Sequence, residues 1–81
     1  MDTETITTAV IDALIAVAPE LSAEDIASDE PIREHVDLDS VDWLSFLTGI
    51  KKRLQVDVPE ADYARLRTVD DVVRYAEERM R

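Results

Sequence analysis

The chain has 81 residues, with nineteen Asp/Glu against nine Lys/Arg, one His, no Cys and a net charge of −10. That length supports one small domain with one core, the lack of Cys excludes disulfides and cysteine-based metal sites, and the acid excess opposes nucleic-acid binding, which rewards clustered Lys/Arg. The charge is uneven: residues 1–50 hold twelve Asp/Glu and one Arg (net −11), and residues 51–81 hold seven Asp/Glu and eight Lys/Arg (net +1), a balance that suits partners with basic surfaces.

From the N-terminus, Met1-Asp2-Thr3-Glu4 is acidic, unlike the basic then apolar start of a secretory signal. No apolar run approaches the roughly 20 residues of a membrane span. The expectation is a soluble, cytoplasmic protein without membrane insertion, monomeric by default. Ile6, Ala9, Val10, Ala13, Leu14 and Val17 recur on one helical face. They predict a first helix over about 4–18, capped by Thr3 and ended by Pro19.

Residues 19–39 read as a long acidic connection with Pro19 and Pro31, in which Leu21 to Ile26 form a short helical turn. Ile26, Ile32, Val36 and Leu38 are spaced apolar anchors that pack the connection on the core. A second long helix is predicted from Ser40 to Gln55, with Val41, Leu44, Phe46, Leu47, Ile50 and Leu54 as a broad apolar face. Asp39 and Asp42 imitate a capping box at its start. Gly49, the chain's sole glycine, lies inside this helix and predicts close approach of a neighbouring helix.

Val56-Asp57-Val58-Pro59 breaks that helix, and its two valines are too few for a strand without a partner. A short helix over about 60–66 carries Ala61, Tyr63 and Leu66. Thr68-Val69-Asp70-Asp71 then opens a last helix over about 69–80. This helix buries Val69, Val72, Val73 and Ala76, with Tyr75 flanking and Arg79 and Arg81 suited to its C-terminus. The fold class is all-α: a small four-helix bundle of three longer helices and one short one, a single domain over 1–81.

Ser40 is the one residue whose setting suggests covalent chemistry, a hydroxyl at a helix start where amides and dipole favour a phosphate-linked group. Taken alone, an Asp-Ser pair is more often a plain cap. His35, the only histidine, stands five residues from Ser40 in the acidic connection. A hydrolase triad would need a base set against the serine and an oxyanion hole, so His35 reads as a loop residue. No His/carboxylate cluster has metal-ligand spacing.

Val36-Asp37-Leu38-Asp39-Ser40-Val41-Asp42, the apolar run Leu44, Leu47, Ile50 and Leu54, the break Val56-Asp57-Val58-Pro59, and Thr68-Val69-Asp70-Asp71-Val72 with Tyr75 together give the chain a family resemblance. It resembles the acyl and peptidyl carrier proteins, small four-helix domains that bear a 4′-phosphopantetheine arm and perform no catalysis. The resemblance implies that Ser40 attaches the arm and that Asp39 helps hold the magnesium ion of the phosphopantetheinyl transferase, the carrier itself keeping no metal. The arm would carry acyl or aminoacyl thioesters between enzymes of fatty-acid, polyketide or related secondary biosynthesis.

The same resemblance places Asp37, Asp42, Ser45, Lys51, Lys52 and Arg53 on the partner-recognition surface, and Trp43 and Tyr63 at the mouth where carried chains tuck in. Several features depart from the family pattern. Asp37 stands where glycine is usual, and Ser45 where a recognition glutamate is common. Lys51-Lys52-Arg53 makes basic a helix half that is acidic in fatty-acid carriers. The departures imply a specialised partner set. The two aromatics, large where small residues are usual, imply a narrowed mouth and cargo that is short, polar or left exposed. The alternative reading is a small helical interaction module in which Ser40 is only a cap.

Overall fold

A computed structural model describes residues 2–80, apart from the side chain of His35. Helix α1 spans Thr3–Val17. Its cap is Asp2 rather than the expected Thr3: the Thr5 amide donates to Asp2 Oδ1 at 2.8 Å. Thr3 is instead the first helical residue, and its hydroxyl donates to Glu77 Oε1 at 3.1 Å, tying the two chain ends together. The helix stops where the Ala18 amide turns back to the Leu14 carbonyl, immediately before Pro19.

The long connection is folded, as its apolar anchors predict. Ile32, Val36 and Leu38 are buried and Ile26 is half-buried. A 3-10 turn covers Ala23–Asp25, where Asp25 Oδ2 accepts from both the amide and the hydroxyl of Ser22. Helix α2, Ile32–His35, is a single turn that the periodicity does not announce. Its signals are local: Pro31 fixes the backbone ahead of it at φ −59°, and Ile32 and Val36 both point inward. The connection is stitched to the later chain by the Ile32 amide on the Arg67 carbonyl (2.8 Å), the Asp70 amide on the Ser28 carbonyl (3.0 Å) and an isolated antiparallel bridge from Pro31 to Thr68.

Helix α3 spans Ser40–Leu54 and ends at Gln55, which takes the left-handed conformation at φ 59°. It buries Trp43, Phe46, Leu47, Ile50 and Leu54. The predicted face was too broad: Val41 is 69% exposed and Leu44 50%. Positions 43, 46, 47, 50 and 54 follow the i, i+3, i+4, i+7, i+11 stripe, and residues 41 and 44 fall beside it. Gly49 faces α1, where an added Cβ would stand 3.3 Å from the Ala13 Cβ, so close helix approach is the reason for the glycine.

The expected short helix is a 3-10 segment, Glu60–Arg65, followed by α4, Val69–Arg79. The Thr68 hydroxyl accepts from the Asp71 amide (3.0 Å) while Asp71 Oδ2 accepts from the Thr68 amide (3.2 Å), the reciprocal cap read from the sequence. Tyr75 is buried rather than flanking. Arg79 sits in the last turn of α4, and Arg81 lies outside the described residues. No strand occurs among the described residues. Helix α1 packs against both α3 and α4, and the all-apolar core between them centres on Ile6, Val10, Leu14, Phe46, Ile50 and Val72.

Candidate functional site

The chain enters α3 along an alternation that fixes what faces out. Leu38 is buried, and Asp37 and Asp39 on either side of it are exposed. Arg33 Nη2 donates to the Leu38 carbonyl at 3.4 Å, holding the entry against α2. Asp39 is the N-cap in extended conformation, and its Oδ1 accepts from the Asp42 amide at 2.8 Å. The Asp42 carboxylate does not return the bond, so the pair forms half of the imitated capping box.

Ser40 is the first residue of α3 and is exposed, and among the described residues its hydroxyl makes no hydrogen bond. The free amides of a first helical turn favour a phosphate-linked group there. The carboxylates of Asp37, Asp39 and Asp42 oppose added negative charge at the same place.

Ser40 also forms part of the wall of an open cavity of about 690 Å³ between the start of α3, α2 and the 3-10 segment. Trp43 and Tyr63, the two aromatics expected at a mouth, both line it. Trp43 leans inward, its ring buried and tilted 42° against Phe46 with centroids 5.4 Å apart. Tyr63 is half-buried. Both aromatics therefore form part of the cavity wall.

Arg33 and Arg67, on the same wall, were not singled out by the sequence reading. A signal existed for Arg33, the sole cation of the first fifty residues. Its guanidinium lies 5.8 Å from the centre of the Trp43 ring.

Ser45, Lys51, Lys52 and Arg53 are exposed along α3 but outside this cluster. At 1.5 Å per residue, Lys51 stands about 16 Å up the helix from Ser40. Its one ion pair among the described residues, with Asp57 at 4.0 Å, is exposed and contributes little. The exposed Val41 and Leu44, by contrast, flank Ser40 directly. The side chain of His35 lies outside the described residues. Among the described residues no group of three or more His, Cys, Asp or Glu is placed to hold a metal ion.

The profile of the family described as "PP-binding: Phosphopantetheine attachment site" matches residues 9–76. The chain belongs to this carrier family. It is 35% identical over 65 residues to an acyl carrier protein of Onion yellows phytoplasma, covering 80% of this chain and 86% of that one. An acyl carrier protein of Chlamydia trachomatis is 30% identical over 69 residues (85% and 90% of the two chains), and one of Streptomyces coelicolor 30% over 67 residues (83% and 73%). The protein is therefore a carrier and not a catalyst, and its prosthetic group is a covalently attached 4′-phosphopantetheine. The exposed hydroxyl on a helix N-terminus fits such a group, because a phosphodiester there meets amide dipoles and solvent rather than packed side chains. Its installation requires a phosphopantetheinyl transferase as partner. No helix among the described residues is long and apolar enough to cross a membrane.

Proposed function

We propose that Ser40 bears the arm and that the chain, one carrier domain over residues 1–81, shuttles acyl or aminoacyl thioesters between enzymes of fatty-acid, polyketide or related secondary biosynthesis. The observation that carries the assignment is the exposed, unpartnered Ser40 hydroxyl behind the Asp39 cap, inside the matched residues 9–76. In the transferase, Ser40 Oγ attacks the pyrophosphate of coenzyme A. The new O–P bond forms as the P–O bond to adenosine 3′,5′-bisphosphate breaks, and the serine proton leaves to a base of the transferase. The attached arm supplies a thiol that holds cargo as a thioester.

Asp39 uses one oxygen as a cap and keeps the other for the transferase's magnesium ion. Asp37 and Asp42 give basic partner grooves a target beside the arm. Ser45, Lys51, Lys52 and Arg53 set a partner surface along α3 that differs from an acidic one. Trp43 and Tyr63 flank the space into which cargo can fold. The acyl cargo named for the relatives favours acyl over aminoacyl loading. The reading extends to a cytoplasmic protein and to a monomer, the latter supported by a net charge of −10 that opposes self-association.

Intact mass after incubation with coenzyme A and a promiscuous phosphopantetheinyl transferase tests it. The expected result is the gain of one phosphopantetheine by the native chain and none by Ser40→Ala. A native chain left unmodified, or a Ser40→Ala chain still modified, refutes the assignment.

A further inference from the structure

The cavity beside Ser40 carries an unexpected charge. Its ionic side chains are Arg33, Arg67 and Glu60, a net of +1 in a chain whose net is −10. Carboxylates outnumber Lys/Arg by nineteen to nine, yet among the described residues neither guanidinium on this wall has an ion-pair partner. Both are exposed. The fold itself brings them together: the Pro31–Thr68 bridge and the Ile32 amide on the Arg67 carbonyl lay α2 beside the segment before α4. Arg33 is further held by the Leu38 carbonyl and the face of Trp43. The rest of the wall is largely apolar, made of Trp43, Leu44, Tyr63 and Leu66.

Such a wall has two halves that ask for different chemistry. An alkyl chain uses the aromatic and leucine surface and has no need of guanidinium groups. A phosphodiester uses the guanidinium groups but needs neither the apolar wall nor about 690 Å³. We infer that the cavity receives tethered cargo whose acyl chain ends in a carboxylate, with the carbon chain along Trp43, Tyr63 and Leu66 and the carboxylate on Arg33 and Arg67. Planar guanidinium forks match a carboxylate in two-bond geometry. This deepens the carrier reading above and rests on Ser40 being the point of attachment.

The test compares three forms of the carrier made on Ser40: the bare arm, a hexanoyl arm and an adipoyl arm, the last two alike in carbon count and different in the terminal carboxylate. Amide and Trp43 indole shifts by NMR report contact, and the rate of thioester cleavage by hydroxylamine reports shielding. The adipoyl form is expected to move the signals of Arg33, Arg67 and Trp43. Its thioester should cleave about three- to fivefold more slowly than the hexanoyl one, the size of effect that exposed charge pairs give. Arg33→Gln with Arg67→Gln should bring the two rates together, measured on protein that intact mass shows to be loaded.

Equal behaviour of the native hexanoyl and adipoyl forms overturns the inference without any variant. So does a bare arm that by itself produces the Arg33 and Arg67 shifts, since the phosphodiester would then hold them. A chain that gains no phosphopantetheine on Ser40 removes the carrier assignment and this inference together, and the mass spectrum distinguishes that failure from the others.

Discussion

One oxygen of the Asp39 carboxylate is taken by the Asp42 amide, and the other makes no hydrogen bond with a described residue. The two roles given to Asp39, cap and helper of the transferase's metal, can therefore be separated. Asn caps a helix as well as Asp does, so Asp39→Asn should leave thermal stability nearly unchanged and slow phosphopantetheine transfer through loss of the charge. Asp39→Ala should lose both, with about 1 kcal/mol of stability gone. Melting curves and transfer kinetics on the same two variants decide it, and equal transfer by Asp39→Asn and the native chain would leave Asp39 only a cap. Ser40 needs no such dissection, since its hydroxyl has no partner among the described residues to lose.

Between elements, two contacts set the frame around the site. Gly49 lets α3 lie against Ala13 of α1, where a Cβ would already be tight at 3.3 Å. Ala13 is buried and cannot turn aside, so Gly49→Leu should force the helices apart at a cost of about 1–3 kcal/mol, readable by urea denaturation. The second contact holds the 3-10 segment that carries Tyr63. The Tyr75 hydroxyl donates to Asp62 Oδ2 at 2.6 Å, and Arg79 Nη2 donates to the same oxygen at 3.0 Å. Burial first, then this hydrogen bond, raises the Tyr75 pKa above its ordinary value of 10.0.

A phenol whose folded pKa is raised holds its proton more tightly when folded. Its contribution is full below pH 10 and is lost as pH rises through the raised value. Tyr75→Phe should cost about 1 kcal/mol at neutral pH. The variant should also show a shallower fall in melting temperature above pH 10 than the native chain. An unchanged alkaline slope would mean that Tyr75 does not supply that dependence.

At the level of the whole molecule, charge is laid out in zones: acids around Ser40, and bases along the second half of α3. Ser45, Lys51, Lys52 and Arg53 are all exposed, and their sole mutual or neighbouring ion pair among the described residues is the weak one to Asp57. Replacing the four with Glu should therefore leave the fold intact and improve use of the carrier by a fatty-acid-synthesis ketosynthase, measured as condensation rate. No change in that rate would count against a specialised partner surface.

The helices were legible in the sequence because each stripe of apolar residues repeats at the helical period and each end carries its own capping chemistry, from Pro19 to Thr68 and Asp71. The serine proposed as the attachment point stood out because its setting is local: an acid, a hydroxyl and the start of an apolar repeat. The cap at Asp2 was missed because Asp2 and Thr3 are both capping residue types and compete for one position; in the fold the Thr5 amide meets Asp2, and the Thr3 hydroxyl meets Glu77. The single turn α2 was missed because four residues are too few to show a period. Which apolar residues of α3 stay exposed, and that Arg33 and Arg67 line one cavity, depended on pairings between residues more than thirty positions apart. Local pattern fixes which way a short stretch curls and which of its sides is greasy. What that side meets is decided only when distant segments pack, because the free energy of burial belongs to the pair of surfaces and not to either stretch alone.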